Sequence, residues 1–124
     1  MNKPDWTVHY ILDDIGPGGI INVHTHGMER YGHLDFQTVL PIAPEKATVL
    51  LNTIGFEVQN GRKFEPGDYG DDSHVYSCAF RLEQHRETGR DVLRLIFPDP
   101  QFRFPEDPLC EKPYKYQTET AFEE

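Results

Sequence analysis

Three of the six histidines in this sequence lie close together, at His24, His26 and His33. The first two fall in a segment whose period-two pattern predicts a β-strand. Both imidazoles would then share one face, about 6.6–7 Å apart at ~3.3 Å per residue. Neutral imidazole is a good ligand for divalent ions such as Zn²⁺ and also serves as an acid or base. We therefore predict a histidine-lined polar pocket, to which the loop 27–32 returns His33, for a metal ion or a small molecule.

A carboxylate near these rings would complete a metal site. We predict Glu29, with Asp35 as the alternative carboxylate, as a ligand beside His24, His26 and His33, because histidine and carboxylate ligands with open positions are typical of catalytic metal sites. The expected cofactor is a divalent metal, Zn²⁺ or similar. If the protein is an enzyme, the expected chemistry is metal-assisted hydrolysis, in which the bound ion generates hydroxide near neutral pH.

Other polar residues would support the pocket. Tyr31 joins the three histidines as a candidate acid–base group. Guanidinium groups hold anions through paired hydrogen bonds. Arg103 has a second interpretation, in which it pins the C-terminal segment to a carboxylate such as Asp99 or Glu106. The predicted binding residues are Asp35, Arg94 and Arg103.

A His-x-His pair is not specific to metal sites. The same histidines fit a pocket without a metal, and they also fit polar residues that bind no ligand, so these alternatives stay open. His9, His74 and His85 are interpreted as incidental. Cys78 and Cys110 are too few for a disulfide framework, and free thiols in a reducing compartment are the expectation.

Chain length and net charge limit the classes of protein to which this sequence can belong. A chain of 124 residues is expected to form one domain, over residues 1–117, with 118–124 as a frayed tail. The net charge of −9 argues against partners such as duplex nucleic acid and anionic membranes, which bind through lysine and arginine. No apolar run approaches the ~20 residues of a membrane span, and the first residues lack the apolar core of a signal peptide. We expect a cytoplasmic protein.

Periodicity along the chain predicts an α+β fold. About six mainly antiparallel strands are expected, and the clearest patterns cover residues 7–12, 20–26, 36–42, 74–82 and 91–97. They would pack on one main helix at 44–60, where Pro44 suits the first turn and apolar residues recur at helical spacing.

Two connecting regions are predicted less regularly. Residues 83–90 are expected to form a charged, hairpin-like connection that contains Gly89. From Pro98 onward, recurring prolines predict an extended surface segment. Its expected anchors are Phe102, Phe104, Leu109 and Tyr114.

Several short motifs span nearly the whole chain in a distinctive order. They are His24-Thr25-His26-Gly27-Met28, Tyr31-Gly32-His33, Leu50-Leu51-Asn52, Phe64-Glu65-Pro66-Gly67, Phe97-Pro98-Asp99 and Arg103-Phe104-Pro105. With them the sequence resembles the bacterial family called domain of unknown function 4262. The resemblance implies a small α+β fold in a cytoplasmic bacterial protein and assigns no activity. Members commonly carry Tyr-Thr-Val-Gly-Leu at the first motif, so His24 and His26 mark a subgroup.

Two other functions remain open. The acidic surface fits a non-enzymatic interaction module, either an adaptor or an immunity-type protein that binds a basic partner. A small cupin-like metal-binding barrel is the second alternative, since Gly18, His24-x-His26 and the Pro66-Gly67-Asp68 turn before His74 resemble cupin motifs. Exposed edge strands would permit a dimer.

Overall fold

A computed structural model describes residues 5–11, 22–40, 43–70, 79–87 and 89–118. These residues form six strands and one α-helix, which confirms the predicted α+β class. The strands are β1 (Thr7–Ile11), β2 (Asn22–His26), β3 (Asp35–Thr38), β4 (Tyr69–Gly70), β5 (Phe80–Glu87) and β6 (Arg90–Ile96). The helix is α1 (Pro44–Gln59), and short 3-10 helices cover Met28–Tyr31 and Tyr114–Tyr116.

The strands form one sheet in the order β1-β2-β3-β6-β5-β4. Neighbouring strands are antiparallel except β3 and β6, which run parallel. The predicted mainly antiparallel arrangement is therefore confirmed. The cupin-like alternative is wrong, because the described strands make one sheet with β1 and β4 at its edges and not a double-sheet barrel.

Helix α1 packs on one face of the sheet through the stripe that its spacing predicts. A stripe repeating every three to four residues places apolar side chains on a single helix face. All five stripe residues are buried: Ala47, Leu50, Leu51, Ile54 and Val58. The helix ends at Gln59, within one residue of the predicted boundary, and Gly61 follows with φ of 103°.

The central strand β6 is covered on both faces. Leu93 and Leu95 belong to the hydrophobic core, as the alternating pattern predicts. Arg94, which alternates with them, is also fully buried. The covering residue is Gln117, whose side chain bonds the backbone N and O of Phe97 at 2.8 and 2.7 Å. The C-terminal segment therefore returns over the sheet.

The structure corrects two local predictions. The hairpin predicted at 83–90 is confirmed, but most of its residues belong to the strands, because β5 continues to Glu87 and β6 begins at Arg90. Gly89, between the strands, has φ of 81°. Residues 83–87 lack an apolar alternation, but each of them pairs with a residue of β6, so the ladder continues through these polar positions. Phe102 and Leu109 do not anchor the C-terminal segment, since both are exposed.

Some predictions fall outside the described residues. They concern His74 and Cys78, most of the predicted strand at 74–82, and the tail at 119–124. Cys110 is buried and is a free thiol. Among the described residues, no helix combines the length and hydropathy needed to cross a bilayer.

Candidate functional site

The β1–β2 pair places three histidines on the sheet face opposite α1. Val23 lies in the core beneath the helix, so the alternating His24 and His26 point the other way. Across the pair His9 lies opposite His24, and Thr7 lies opposite His26. We call the His9, His24 and His26 side chains the histidine face.

The three rings of the histidine face are in direct contact. The His9 ring stacks on His24 with centroids 5.6 Å apart and meets His26 edge-on at 5.5 Å. His9 Nε2 lies 3.0 Å from the Thr7 hydroxyl, and His24 Nδ1 lies 3.3 Å from Asn22 Oδ1. Three imidazoles at this spacing on an exposed edge could bind a ligand together.

His9 is the member that the sequence interpretation missed. The signal was present, because residues 7–12 and 20–26 are consecutive predicted strands, and consecutive strands usually pair. Their register was not available from the pattern, since a shift of one residue would have moved His9 to the helix side.

A chain of buried hydrogen bonds continues inward from the histidine face. Asn22 Oδ1 accepts a hydrogen bond from Gln37 Nε2 at 3.1 Å, and Gln37 Oε1 accepts one from Arg94 Nε at 2.8 Å. Arg94 Nη1 also donates to the Gln117 carbonyl at 2.7 Å. This predicted binding residue therefore links β6 to β3 and to the C-terminal segment.

His33 lies away from the histidine face and is a structural residue. Its Nε2 accepts the Phe64 N–H at 3.0 Å, so Nδ1 carries the proton and donates to the Leu34 carbonyl at 2.8 Å. The ring also stacks on Phe36 with centroids 5.1 Å apart. Both ring nitrogens are occupied, so His33 would have to release a backbone group before it bound a metal.

The Asp35 side chain makes several contacts that hold the turn after β2. Its Oδ1 accepts hydrogen bonds from the Thr25 hydroxyl at 2.8 Å and the Met28 N–H at 3.0 Å. Its Oδ2 forms a close ion pair with Arg90. Since the carboxylate is buried, its hydrogen bonds hold the turn rather than a ligand.

The other predicted residues of the pocket are also separate from the histidine face. The Tyr31 hydroxyl donates to Asp5 Oδ2 at 2.8 Å and accepts from Gln59 Nε2 at 3.0 Å. Glu29 is exposed on the first 3-10 helix. Within the described ranges, no three His, Cys, Asp or Glu side chains form a group that could hold a metal ion.

A second exposed cluster lies at the opposite edge of the sheet. The Phe104 ring meets Tyr69 edge-on at 6.2 Å and Phe102 edge-on at 5.9 Å. Tyr69 is 60% exposed and Phe102 is 67% exposed. We call these three side chains the aromatic patch. Its residues come from β4 and from the segment that follows β6, so no short sequence motif announces it.

Asp99 builds the loop that presents Phe102. Its carboxylate accepts the N–H groups of Gln101, Arg103 and Glu111 at 2.9–3.0 Å and pairs with the Arg103 guanidinium at 2.9 Å. Burial opposes ionisation of Asp99, but the hydrogen bonds from Arg103, Glu111 and Gln101 prevail and lower its pKa to about 2. The predicted Arg103–Asp99 link is confirmed.

Phe102 itself has left-handed backbone geometry, with φ of 61°. A non-glycine residue pays about 1–2 kcal/mol for this conformation, so the surrounding bonds must impose it. Here the Phe102 N–H donates to the Asp99 carbonyl at 2.8 Å, inside the loop that the Asp99 side chain closes. The ring is therefore held outward by a rigid loop.

Arg81 joins the aromatic patch to two carboxylates. Its guanidinium lies 4.8 Å from the centroid of the Phe104 ring. It donates two hydrogen bonds to Glu106, at 2.7 and 3.0 Å, and one to Glu83 at 2.7 Å. The hydrogen bond from Arg81 lowers the pKa of Glu106. A guanidinium on a ring beside a carboxylate is a strongly favoured arrangement.

Comparisons of the chain with family models, with curated proteins and with solved structures give no match. The resemblance to domain of unknown function 4262 therefore stays a prediction.

Proposed function

We propose that this protein is a binding module that recognises a basic protein partner. The observation that supports the proposal is the internal use of its arginines. All seven arginines lie in the described residues, and six form an ion pair with a carboxylate, while Arg94 is buried. The pairs are Arg30–Asp5, Arg62–Glu57, Arg81 with Glu83 and Glu106, Arg86–Asp91, Arg90–Asp35 and Arg103–Asp99.

The whole chain has a net charge of −9. Among the described residues, exposed carboxylates outside the arginine pairs include Glu29, Glu45 and Glu65. A surface of this sign attracts cationic partners at long range and repels phosphate groups. Association with a basic partner should be fast and should weaken with salt, because ions screen surface charges beyond about 8–10 Å at physiological strength.

Selection from a phage-displayed library of random peptides tests this proposal. We expect wild-type protein to enrich peptides rich in arginine and lysine, and we expect synthetic copies to bind less tightly as salt rises. Prior selection of the library against an unrelated protein of similar negative charge removes peptides that bind through charge alone. Enrichment of neutral or acidic peptides, or no enrichment, contradicts the proposal.

The histidine face supports a second candidate function, the binding of a divalent metal or a small molecule. The observation in its favour is that His9 joins His24 and His26 in one cluster, in which His9 and His26 are exposed and His24 is partly buried. Two imidazoles with solvent ligands would suffice, and neutral imidazole is a common ligand of Zn²⁺ and Ni²⁺.

Calorimetric titration of tag-free protein with ZnCl₂ and with NiCl₂ tests this candidate. We expect saturable binding that His24→Gln and His26→Gln each weaken or abolish. His85→Gln is the matched control, because His85 lies on β5 beside Glu83, outside the histidine face. Heats that are absent in the wild type, or unchanged in both face variants, exclude a metal at this position.

A further inference from the structure

The aromatic patch has the exposure expected of an interaction surface. Tyr69 and Phe102 are both more than half exposed, although aromatic rings are usually buried in a core. Contiguous exposed apolar side chains with a polar rim mark docking sites on soluble proteins. Tyrosine, phenylalanine and arginine are also the side chains most enriched at interfaces.

The loop that carries Phe102 is organised before any partner binds. The Asp99 carboxylate bonds three backbone N–H groups and the Arg103 side chain, which fixes the loop. A side chain that is already fixed loses little entropy on binding, so its contact area contributes more to affinity. The left-handed geometry of Phe102 points the same way, because strained residues concentrate at binding and catalytic positions.

The charge around the aromatic patch is strongly acidic. The segments that carry its rings, residues 64–70 and 99–111, contain six carboxylates and Arg103, and Arg81 of β5 adds a second basic residue over Phe104. Arg103 pairs with Asp99 and Glu111, and Arg81 pairs with Glu106, so three carboxylates of these segments lie outside these pairs. The six carboxylates are Glu65, Asp68, Asp99, Glu106, Asp107 and Glu111. A cation approaching these rings would therefore meet complementary charge.

The protein already contains an example of the contact that such a cation would make. Arg81 lies over the Phe104 ring at 4.8 Å and forms a two-bond pair with Glu106. Phe102 and Tyr69 flank the same ring and present further aromatic surface to solvent. An incoming guanidinium has planar geometry that matches both a ring face and a carboxylate, whereas a lysine ammonium matches neither as well.

We infer that the aromatic patch is the docking site for an arginine-bearing segment of the partner protein. The partner's guanidinium stacks on Phe102 or Tyr69 and pairs with an exposed carboxylate of the same segments, such as Glu65. This inference rests on the proposed function, since it assumes a basic partner. It adds the position of the site and the choice of arginine over lysine.

The test is a titration of isotope-labelled full-length protein with an oligo-arginine peptide, followed by NMR. We expect the largest changes in backbone chemical shift at Tyr69–Gly70 and in the Asp99–Phe104 loop. Phe102→Asn removes the ring but keeps a residue that tolerates left-handed geometry, and it should weaken binding about tenfold or more. Val49→Asn is the matched control, because Val49 on α1 is also 67% exposed and should leave affinity unchanged.

Further variants separate this inference from the proposed function. An oligo-lysine peptide of equal length should bind several-fold more weakly than oligo-arginine. Glu65→Lys should weaken oligo-arginine binding more than Glu29→Lys does, although both variants change the net charge equally. Equal binding of oligo-arginine to wild type and Phe102→Asn, or shifts confined to other surfaces, overturns the docking site while the proposal of a basic partner stands. Enrichment of neutral or acidic peptides in the library selection would remove the proposed function instead.

Discussion

The indole ring of Trp6 lies directly against the backbone of Gly55. A Cβ added to Gly55 would fall 2.5 Å from Trp6 Cζ2, closer than real side chains approach. The indole N–H donates to Asn52 Oδ1 at 2.8 Å, one helical turn earlier. A glycine inside α1 therefore creates the groove that fixes the segment before β1 on the helix.

Gly55→Ala should destabilise the protein by about 1–2 kcal/mol. Alanine favours a helix by about 1 kcal/mol over glycine, but overpacking against a fixed ring costs more. The ring has little freedom to move, because Phe56 contacts it edge-on at 5.1 Å and Asn52 holds its N–H. Urea unfolding measures the change, and a stabilised variant would mean that the indole moves aside freely.

Phe102→Asn should leave the free energy of unfolding unchanged or raise it by up to about 1 kcal/mol. Asparagine adopts positive φ with less strain than phenylalanine, and the lost side chain is largely exposed. Phe102→Val should lower the same quantity, because a β-branched residue tolerates this conformation poorly. Urea unfolding of the two variants measures the effect of backbone strain at position 102. A Phe102→Val variant more stable than Phe102→Asn would contradict the strain.

Asp99→Asn should reduce the loss of protein stability that occurs as the pH is lowered. The folded pKa of Asp99 is about 2, below the unfolded value. The ionised group therefore stabilises the fold above about pH 4, and this contribution is lost as the pH falls toward the folded value. Melting temperatures measured across this range should fall less steeply in the variant, which should also melt lower at neutral pH. An unchanged slope would show that Asp99 does not drive acid unfolding.

His33→Ala should destabilise the protein by about 2–3 kcal/mol. The variant leaves the Phe64 backbone N–H without its acceptor, and it removes the ring that stacks on Phe36. His26→Ala is the control, since His26 is exposed, and we expect a change within about 0.5 kcal/mol. Chemical denaturation of both variants measures the contrast. Equal effects would mean that His33 has no special structural role.

Local periodicity in the sequence was sufficient for α1 and for the general class of the fold. The helical stripe ending at Val58 and the alternation in β6 are properties of neighbouring residues, and burial of one face follows from them directly. The link between Arg103 and Asp99 was likewise predictable, because the two residues are only four positions apart.

The composition of the sites depended on contacts between residues distant in sequence. Alternation places His24 and His26 on one strand face, but only strand register brought His9 beside them. The contact of His33 with Phe64 joins two loops and arises from tertiary packing. The aromatic patch joins Tyr69 to Phe104 across 35 positions, and no periodic pattern reports such a pairing. Charge, helix and strand identity are encoded locally, whereas the parallel pairing of β3 with β6 and the loop closed by Asp99 arise only when the whole chain packs.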